Sequence, residues 1–196
     1  MQNDHMRQRY AQGRVPWDAP TPPPEIIAIA KTLPAGRGLD LGCGYGRSSV
    51  HLAQRGWQMD GVDYVPQAVE GAIARAAAAN VSDRARFHVG DVTQLDFLAP
   101  AYDLILDIGC MHSFPAEDRA SYRDGIVRLL RKGGTYLLYA KLYTDPNDKH
   151  GPRGVEETAV YSLFQPHFTL TRAERGQTDM EDRPIWQSAW FWFENN

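Results

Sequence analysis

Cysteine is scarce in this chain. Only Cys43 and Cys110 occur among 196 residues. Two thiols cannot build a disulfide framework, which excludes a stapled secreted scaffold and makes a reducing, cytoplasmic setting the expectation. Positive charge is not in surplus either: 21 Lys and Arg face 24 Asp and Glu, a formal net charge of −3. A nucleic-acid-binding surface needs a cationic excess, so no nucleic-acid partner is expected. No apolar run approaches the ~20 residues that span a bilayer. The opening MQNDHMRQRY lacks the apolar core of a secretory signal, and no membrane partner is expected. Internal repeats and low-complexity tracts are also missing.

What is present is ordinary globular composition, 43% hydrophobic and 23% charged, at a length that makes one domain over residues 1–196. Residues 1–33 form its proline-rich front. Pro16, Pro20, Pro22, Pro23 and Pro24 cannot all sit inside a helix or a central strand. The front therefore reads as an extended strap that leads into a short helix starting near Pro24. From residue 34 onward, strand-like and helix-like runs alternate. Strands are expected at Gly38–Leu41, Trp57–Asp63, Ala85–Val89, Tyr102–Ile108 and Thr135–Leu142. Helices are expected at Ser48–Gln54, Pro66–Ala79 and Ala116–Arg131, the last with Tyr122, Ile126, Leu129 and Leu130 on one face. Such alternation implies right-handed βαβ units and a parallel sheet. After a helix near Val155–Phe164, the strands Phe168–Arg175 and Ser188–Phe193 have no room for a crossover helix between them, so they should be antiparallel. SAWFWF is apolar at successive positions, the pattern of a strand covered on both faces inside the sheet. The expected fold is α/β: a mostly parallel seven-stranded sheet, helices on both faces, one antiparallel strand near the C-terminus.

The strongest motif is Gly38-Leu39-Asp40-Leu41-Gly42-Cys43-Gly44-Tyr45-Gly46, between the first strand and its helix. Gly42, Gly44 and Gly46 permit a tight turn and a close ligand approach. Asp63 ends the second strand, where a carboxylate can accept from both hydroxyls of a ribose. Asp91 follows the third strand in Val89-Gly90-Asp91 and would reach an adenine amino group. All three lie at carboxyl ends of strands, where open α/β sheets bind ligands. The spacing is GxGxG rather than the GxGxxG of NAD-binding loops. Asp40 lies two residues before the first glycine, unhelpful to a phosphate but suited to an ammonium group.

These motifs resemble the class I S-adenosylmethionine-dependent methyltransferases over essentially the whole chain. DLGCGYGRSS is similar to that family's first motif, GVDYV to its second, GDV to its third and YDLILDIGCMHSF to its fourth. The resemblance implies a Rossmann-like fold and S-adenosylmethionine as cofactor. It implies that Asp40 holds the methionine ammonium, directly or through water, that Gly42 and Gly44 line the cofactor, and that Asp63 grips the ribose and Asp91 the adenine. Trp17, Cys43, Tyr64 and Val92 complete the expected cofactor contacts, with Gly109 and Cys110 offering backbone carbonyls to the ammonium. Pro16-Trp17-Asp18, Gly109-Cys110-Met111-His112 and SAWFWF are further similar to the thiopurine, tellurite and halide/thiol methyltransferase group. Where that group has Gly-Arg-Pro-Gln after the tryptophan, this chain has Ala19-Pro20-Thr21-Pro22-Pro23.

The expected activity is methyl transfer to a small-molecule soft nucleophile, such as a thiol or halide, by in-line displacement. Such a reaction needs alignment and exclusion of water more than dedicated catalytic groups. A thiol is only partly ionised at neutral pH, and His112, after the fourth strand, is the candidate base. The competing reading of His112 is a helix cap or packing residue. Cys43 and Cys110 read as small buried residues rather than catalysts. Tyr10, Trp17 and Tyr143 are candidate lid walls, Asp148 and His150 candidate substrate contacts, and Trp186, Trp190 and Trp192 core. No metal site is expected, and a monomer or homodimer would serve. The alternatives are a cofactor-binding enzyme with other chemistry, or an NAD-dependent oxidoreductase. A nucleic-acid amino methyltransferase would need an Asn/Asp-Pro-Pro-aromatic stretch where this chain has DIGCMH.

Overall fold

The computed structural model describes residues 2–143, 154–180 and 184–196. They fold as two compact units, Met1–Val92 and Thr93–Asn196, which together supply the seven strands of a mixed sheet.

The first unit contains α1 (Gln2–Ala11), α2 (Pro24–Thr32), β1 (Arg37–Leu41), α3 (Arg47–Ala53), β2 (Gln58–Asp63), α4 (Pro66–Ala78) and β3 (Ala85–Val89). β2 lies between β1 and β3 and is parallel to both. α4 starts at Pro66, whose fixed φ suits a first helical turn, and buries Ala68, Val69, Ala72 and Ala76 as a stripe of small residues. Asn80, at φ 55, closes it in the left-handed conformation expected after a helix C-terminus.

The front differs from a plain strap. Gln2–Ala11 is helical, and Tyr10 is its anchor, 6% exposed and packed with Val65 and Ala68. Trp17 is only half-buried and donates its indole Nε1–H to the Tyr10 hydroxyl at 3.3 Å. Asp18 is fixed by both arms of the Arg75 guanidinium, at 2.8 and 2.6 Å, which ties the extended stretch to α4. This helix is hard to read in the sequence because its ten residues carry almost no apolar periodicity; tertiary burial of Tyr10 secures it. Deleting residues 1–20 removes no strand. Circular dichroism of the truncated protein should stay α/β, while turnover drops strongly. Full activity after truncation would make the segment a mere linker.

The second unit contains β4 (Tyr102–Ile108), α5 (Arg119–Leu129), β5 (Leu130–Lys141), α6 (Glu157–Phe164), β6 (Phe168–Thr178) and β7 (Trp186–Asn195). β4 and β5 are parallel. β7 lies between β5 and β6 and is antiparallel to both, so the late antiparallel strand is internal, as its composition predicts. Its two faces are not equally dry, however. Ser188, Ala189, Phe191 and Phe193 are buried, whereas Trp186, Trp190 and Trp192 are half-buried, so the tryptophans are not fully core. β5 begins at Leu130 rather than Thr135. Gly133, at φ 68, and a register shift opposite Tyr102 and Leu104 let the strand absorb the Gly-Gly step that reads as a helix stop. Tyr122, Ile126 and Leu129 form the buried face of α5. Among the described residues, no helix is long and apolar enough to cross a membrane.

Candidate functional site

β1 ends at Leu41, and the next turn needs Gly42, Gly44 and Gly46 in the left-handed region, at φ 71, 54 and 72. The N–H groups of Gly42 and Cys43 donate to the Val62 carbonyl at 2.8 and 3.1 Å, fastening the loop to β2. A side chain at position 44 would bring its Cβ to 3.0 Å from the Tyr10 hydroxyl, so α1 lies directly against the loop. Cys43 is buried, its Sγ within 3.0 Å of where a Cβ on Gly61 would sit, which fits the small packing residue expected there.

Asp63 is the organising carboxylate of this unit. It is 6% exposed. Its Oδ2 accepts from the Gly44 N–H at 3.0 Å and its Oδ1 from the Val65 N–H at 2.9 Å. Burial pushes its pKa up, and the two backbone donors pull it back. Each carboxylate oxygen has a second lone pair, so Asp63 can still accept from two further donors. Gly90 N–H donates to the Asp63 carbonyl at 3.0 Å, fastening the end of β3 to that of β2. Asp91 is then an exposed carboxylate just past that junction, with Val92 buried beside it. Tyr64 and Trp17 are partly buried against the Tyr10–Val65–Ala68 cluster.

Asp40 is 3% exposed, with Ser49 Oγ–H donating to Oδ2 at 2.7 Å. Burial pushes its pKa up to about 6, against the Ser49 hydrogen bond and the Arg47 charge. A buried carboxylate with so little compensation suits a cationic ligand. Its folded pKa lies above the unfolded value. The folded state therefore keeps a proton between about pH 4 and pH 6 that the unfolded chain has lost, and stability falls as pH rises through that window. An ammonium ligand favours the carboxylate, so its affinity should fall as pH drops below about 6. Asp40→Asn should raise stability at pH 7, by up to roughly 3 kcal/mol, and flatten its pH dependence. The same change should weaken binding of an ammonium-bearing ligand about tenfold. Urea titrations at pH 5 and 7 alongside calorimetry would check both signs.

In the second unit, the turn after β4 is built on Asp107, which the sequence reading did not single out. It is fully buried. Oδ1 accepts from the Cys110 N–H at 2.7 Å, and Oδ2 from the Met111 N–H at 2.9 Å and the Tyr122 hydroxyl at 2.5 Å. Tyr122 Oη lies 3.0 Å from Tyr136 Oη, and burial raises both phenols well above the usual tyrosine range. The available signal was the second acid of the run YDLILDI, set in the otherwise apolar stretch LILDI.

Two groups of this turn that the sequence nominated already have partners within the protein. The Cys110 carbonyl accepts from the Ser113 N–H at 3.1 Å and the Ser113 hydroxyl at 2.6 Å, so both its lone pairs serve the turn and an ammonium would have to compete for them. His112 Nδ1 accepts the Lys141 backbone N–H at 3.2 Å. The neutral ring therefore carries its proton on Nε2, and its one basic nitrogen is already engaged. That geometry matches the competing reading of His112 as a packing residue. Gly109, at φ 92, gives its N–H to the Tyr139 carbonyl at 3.2 Å. Tyr143 is 38% exposed, and Asp148 and His150 lie outside the described residues. Among the described residues, no three His, Cys, Asp or Glu side chains gather as a metal-binding group.

The acceptors of the first unit, Asp63 with spare lone pairs beside the glycine loop and the buried Asp40, are of the kind that suits a ligand with paired hydroxyls and an ammonium group. Comparison with known proteins identifies the family. The family described as "Methyltransferase domain" matches residues 39–134. A 2-heptyl-1-hydroxyquinolin-4(1H)-one methyltransferase of Mycobacteroides abscessus is 30% identical over 159 residues, covering 80% of this chain and 70% of that protein. Ajmaline N-methyltransferase of Rauvolfia serpentina is 30% identical over 108 residues, 55% of this chain, and the match spans only 36% of that enzyme's length. The structure of a Burkholderia thailandensis 1,6-didemethyltoxoflavin-N1-methyltransferase, solved with its substrate and S-adenosylhomocysteine, superposes with a TM-score of 0.78 at 22% identity, over 98% of this chain and 87% of that one.

Proposed function

Because the chain belongs to the class I S-adenosylmethionine-dependent methyltransferases, we propose that it methylates a small molecule that reaches the enzyme already ionised. S-adenosylmethionine is the cofactor. When bound, it supplies an electrophilic methyl carbon on a sulfonium; the acceptor's lone pair bonds to that carbon as the carbon–sulfur pair returns to sulfur. In this reading Asp63 accepts from the ribose hydroxyls while holding Gly44, and Asp91 accepts from the adenine. Gly42, Cys43, Gly44, Tyr64 and Val92 line the adenosyl part, Asp40 neutralises the ammonium, and Trp17 belongs to the strap that helps exclude water. Gly109 keeps its role of offering its backbone carbonyl as an acceptor to the methionine ammonium, while Cys110 contributes through the turn it shapes.

The observation that carries the ionised-acceptor reading is the Lys141 N–H on His112 Nδ1. A ring so engaged is poorly placed to take a proton. Methyl transfer without a base needs an acceptor whose lone pair is already free, and among halogen, sulfur and oxygen acceptors that means an anion: a halide, a thiolate or an acidic hydroxyl in its ionised form. The strap residues Pro16-Trp17-Asp18 and the GCMH run support the soft end of that range, through their likeness to the thiopurine, tellurite and halide/thiol group. The acceptor printed in the name of the mycobacterial relative, a hydroxyquinolinone, supports the acidic-hydroxyl end.

A methylation screen over iodide, thiols, phenols, N-hydroxy heterocycles and amines tests the reading. His112→Ala should lower kcat/KM for iodide and for a neutral thiol by similar factors, on the order of tenfold, because it loosens the site. A loss of about 10²-fold confined to the neutral thiol would restore His112 as a general base. Activity on amines alone would overturn the acceptor assignment.

A further inference from the structure

The phenol of Tyr139, near the carboxyl end of β5, is approached from two sides. Trp186 Nε1–H donates to its oxygen at 3.2 Å, and Thr178 Oγ1 lies 2.5 Å away. Thr178 Oγ1 is in turn 2.8 Å from Ser188 Oγ. These side chains come from the end of β5, the end of β6 and the start of β7, brought together because β7 runs antiparallel between the other two. The Tyr139 ring also reaches the turn after β4. A Cβ on Gly109 would lie 3.7 Å from its Cδ1 and 3.3 Å from His112 Cε1, so two aromatic rings flank that glycine. The Trp190 ring is 5.1 Å from that of Tyr139, and the Lys141 ammonium is 5.8 Å from the Trp186 ring. All these residues belong to the second unit. Each polar side chain among them can donate a hydrogen bond, and Lys141 carries a positive charge.

A phenol oxygen has one proton and two lone pairs. Either hydroxyl of each pair can be the donor; in the arrangement where Ser188 donates to Thr178 and Thr178 to Tyr139, with Trp186 on the other lone pair, both lone pairs are filled. The Tyr139 proton must then go to a third group. Hydroxyls aligned in this way polarise one another and strengthen the terminal donor. Aromatic walls around such a donor favour a flat partner, and a donor set with a nearby ammonium favours an anion.

We propose that Tyr139 is the hydrogen-bond donor that receives the methyl acceptor, and that the acceptor class is a planar aromatic oxyanion, either a phenolate or the deprotonated N-hydroxyl of a fused heteroaromatic ring. This rests on the methyl-transfer reading and narrows its acceptor. A hydrogen bond to the charged form keeps the oxygen ionised at neutral pH, which removes the need for a base at the cost of some nucleophilicity.

The probe is 4-nitrophenol, titrated by visible absorbance into the protein saturated with S-adenosylhomocysteine, at a pH where most of the free probe is protonated. Wild type should bind it as the coloured phenolate. Tyr139→Phe should raise the dissociation constant roughly tenfold and return the bound probe to its protonated spectrum. Thr178→Val, which keeps the phenol but breaks the relay, should raise the constant about threefold. Near-UV circular dichroism reports whether each variant is folded. The proposal is overturned by wild type that does not bind 4-nitrophenol, by a folded Tyr139→Phe that binds it as phenolate with wild-type affinity, or, if that variant does not fold, by an unchanged constant in Thr178→Val. Methyl transfer to iodide or a thiol by the same wild-type preparation would still stand in each case, so this failure is distinct from failure of the methyltransferase reading.

Discussion

Asp63→Ala should abolish useful cofactor binding, with affinity for S-adenosylmethionine and S-adenosylhomocysteine falling on the order of 10²-fold or more. Hydrogen bonds to an ionised group contribute about 1.5–3 kcal/mol each. In the proposed binding mode, the variant loses two acceptors for the ribose. It also loses the partner that Oδ2 provides to the Gly44 N–H and Oδ1 to the Val65 N–H, so the glycine loop itself is released. The two contributions separate by kind of measurement. Loss of ribose contacts alone lowers affinity and leaves the unliganded protein unchanged. Loss of loop anchoring also increases amide hydrogen exchange at Gly44 and Val65 before any ligand is added. Calorimetry showing wild-type affinity in Asp63→Ala would sink the ribose assignment, and NAD should not bind to either protein.

The second large effect is structural in origin. Asp107→Ala should destabilise the fold by on the order of 3–5 kcal/mol and inactivate whatever still folds. The carboxylate is fully buried and holds three donors at once: the Cys110 N–H, the Met111 N–H and the Tyr122 hydroxyl. Truncation leaves all three without it, and the turn carrying Gly109 to His112 loses its brace. Asp107→Asn keeps one acceptor oxygen but turns the other position into a donor facing an N–H or a hydroxyl, so it should recover only part of the loss. Tyr122→Phe removes one donor and leaves the two backbone bonds, and should cost nearer 1–2 kcal/mol. Urea denaturation of the three variants gives the ranking. Equal stability of Asp107→Ala and wild type would show that the turn does not depend on this residue.

Much of the molecule was legible before any coordinates. The strand boundaries of β1 to β4 come within a residue or so of the expected ones because glycines follow β1, β3 and β4, and Pro66 opens the helix after β2. The internal, antiparallel position of β7 followed from a polar connection too short for a crossover helix and from an apolar run too continuous for an edge. α1 was not legible, since ten mostly polar residues give no helical stripe, and Tyr10, seated on Val65 and Ala68 with Met6 packed against the same cluster, holds it in place. Reading all three tryptophans of β7 as core failed for a related reason. Composition tells that a strand is apolar, but not which of its faces a neighbour covers.

By itself the sequence determined the glycine loop and the carboxylates Asp40 in β1, Asp63 at the end of β2 and Asp91 after β3, because these depend on residue type and spacing along one chain; the cofactor class followed from their resemblance to the methyltransferase motifs. Only the tertiary structure decided what each polar group is already bonded to. Asp63 holds the Gly44 N–H, Asp107 holds the turn after β4, the Lys141 N–H occupies His112 Nδ1, and Thr178 and Trp186 converge on Tyr139. In each case the partners are separated in sequence by a span that no local period encodes, and a hydrogen bond is won or lost over a few tenths of an ångström. The residue type sets what a group can donate or accept; the fold decides which of those capacities remain for a ligand.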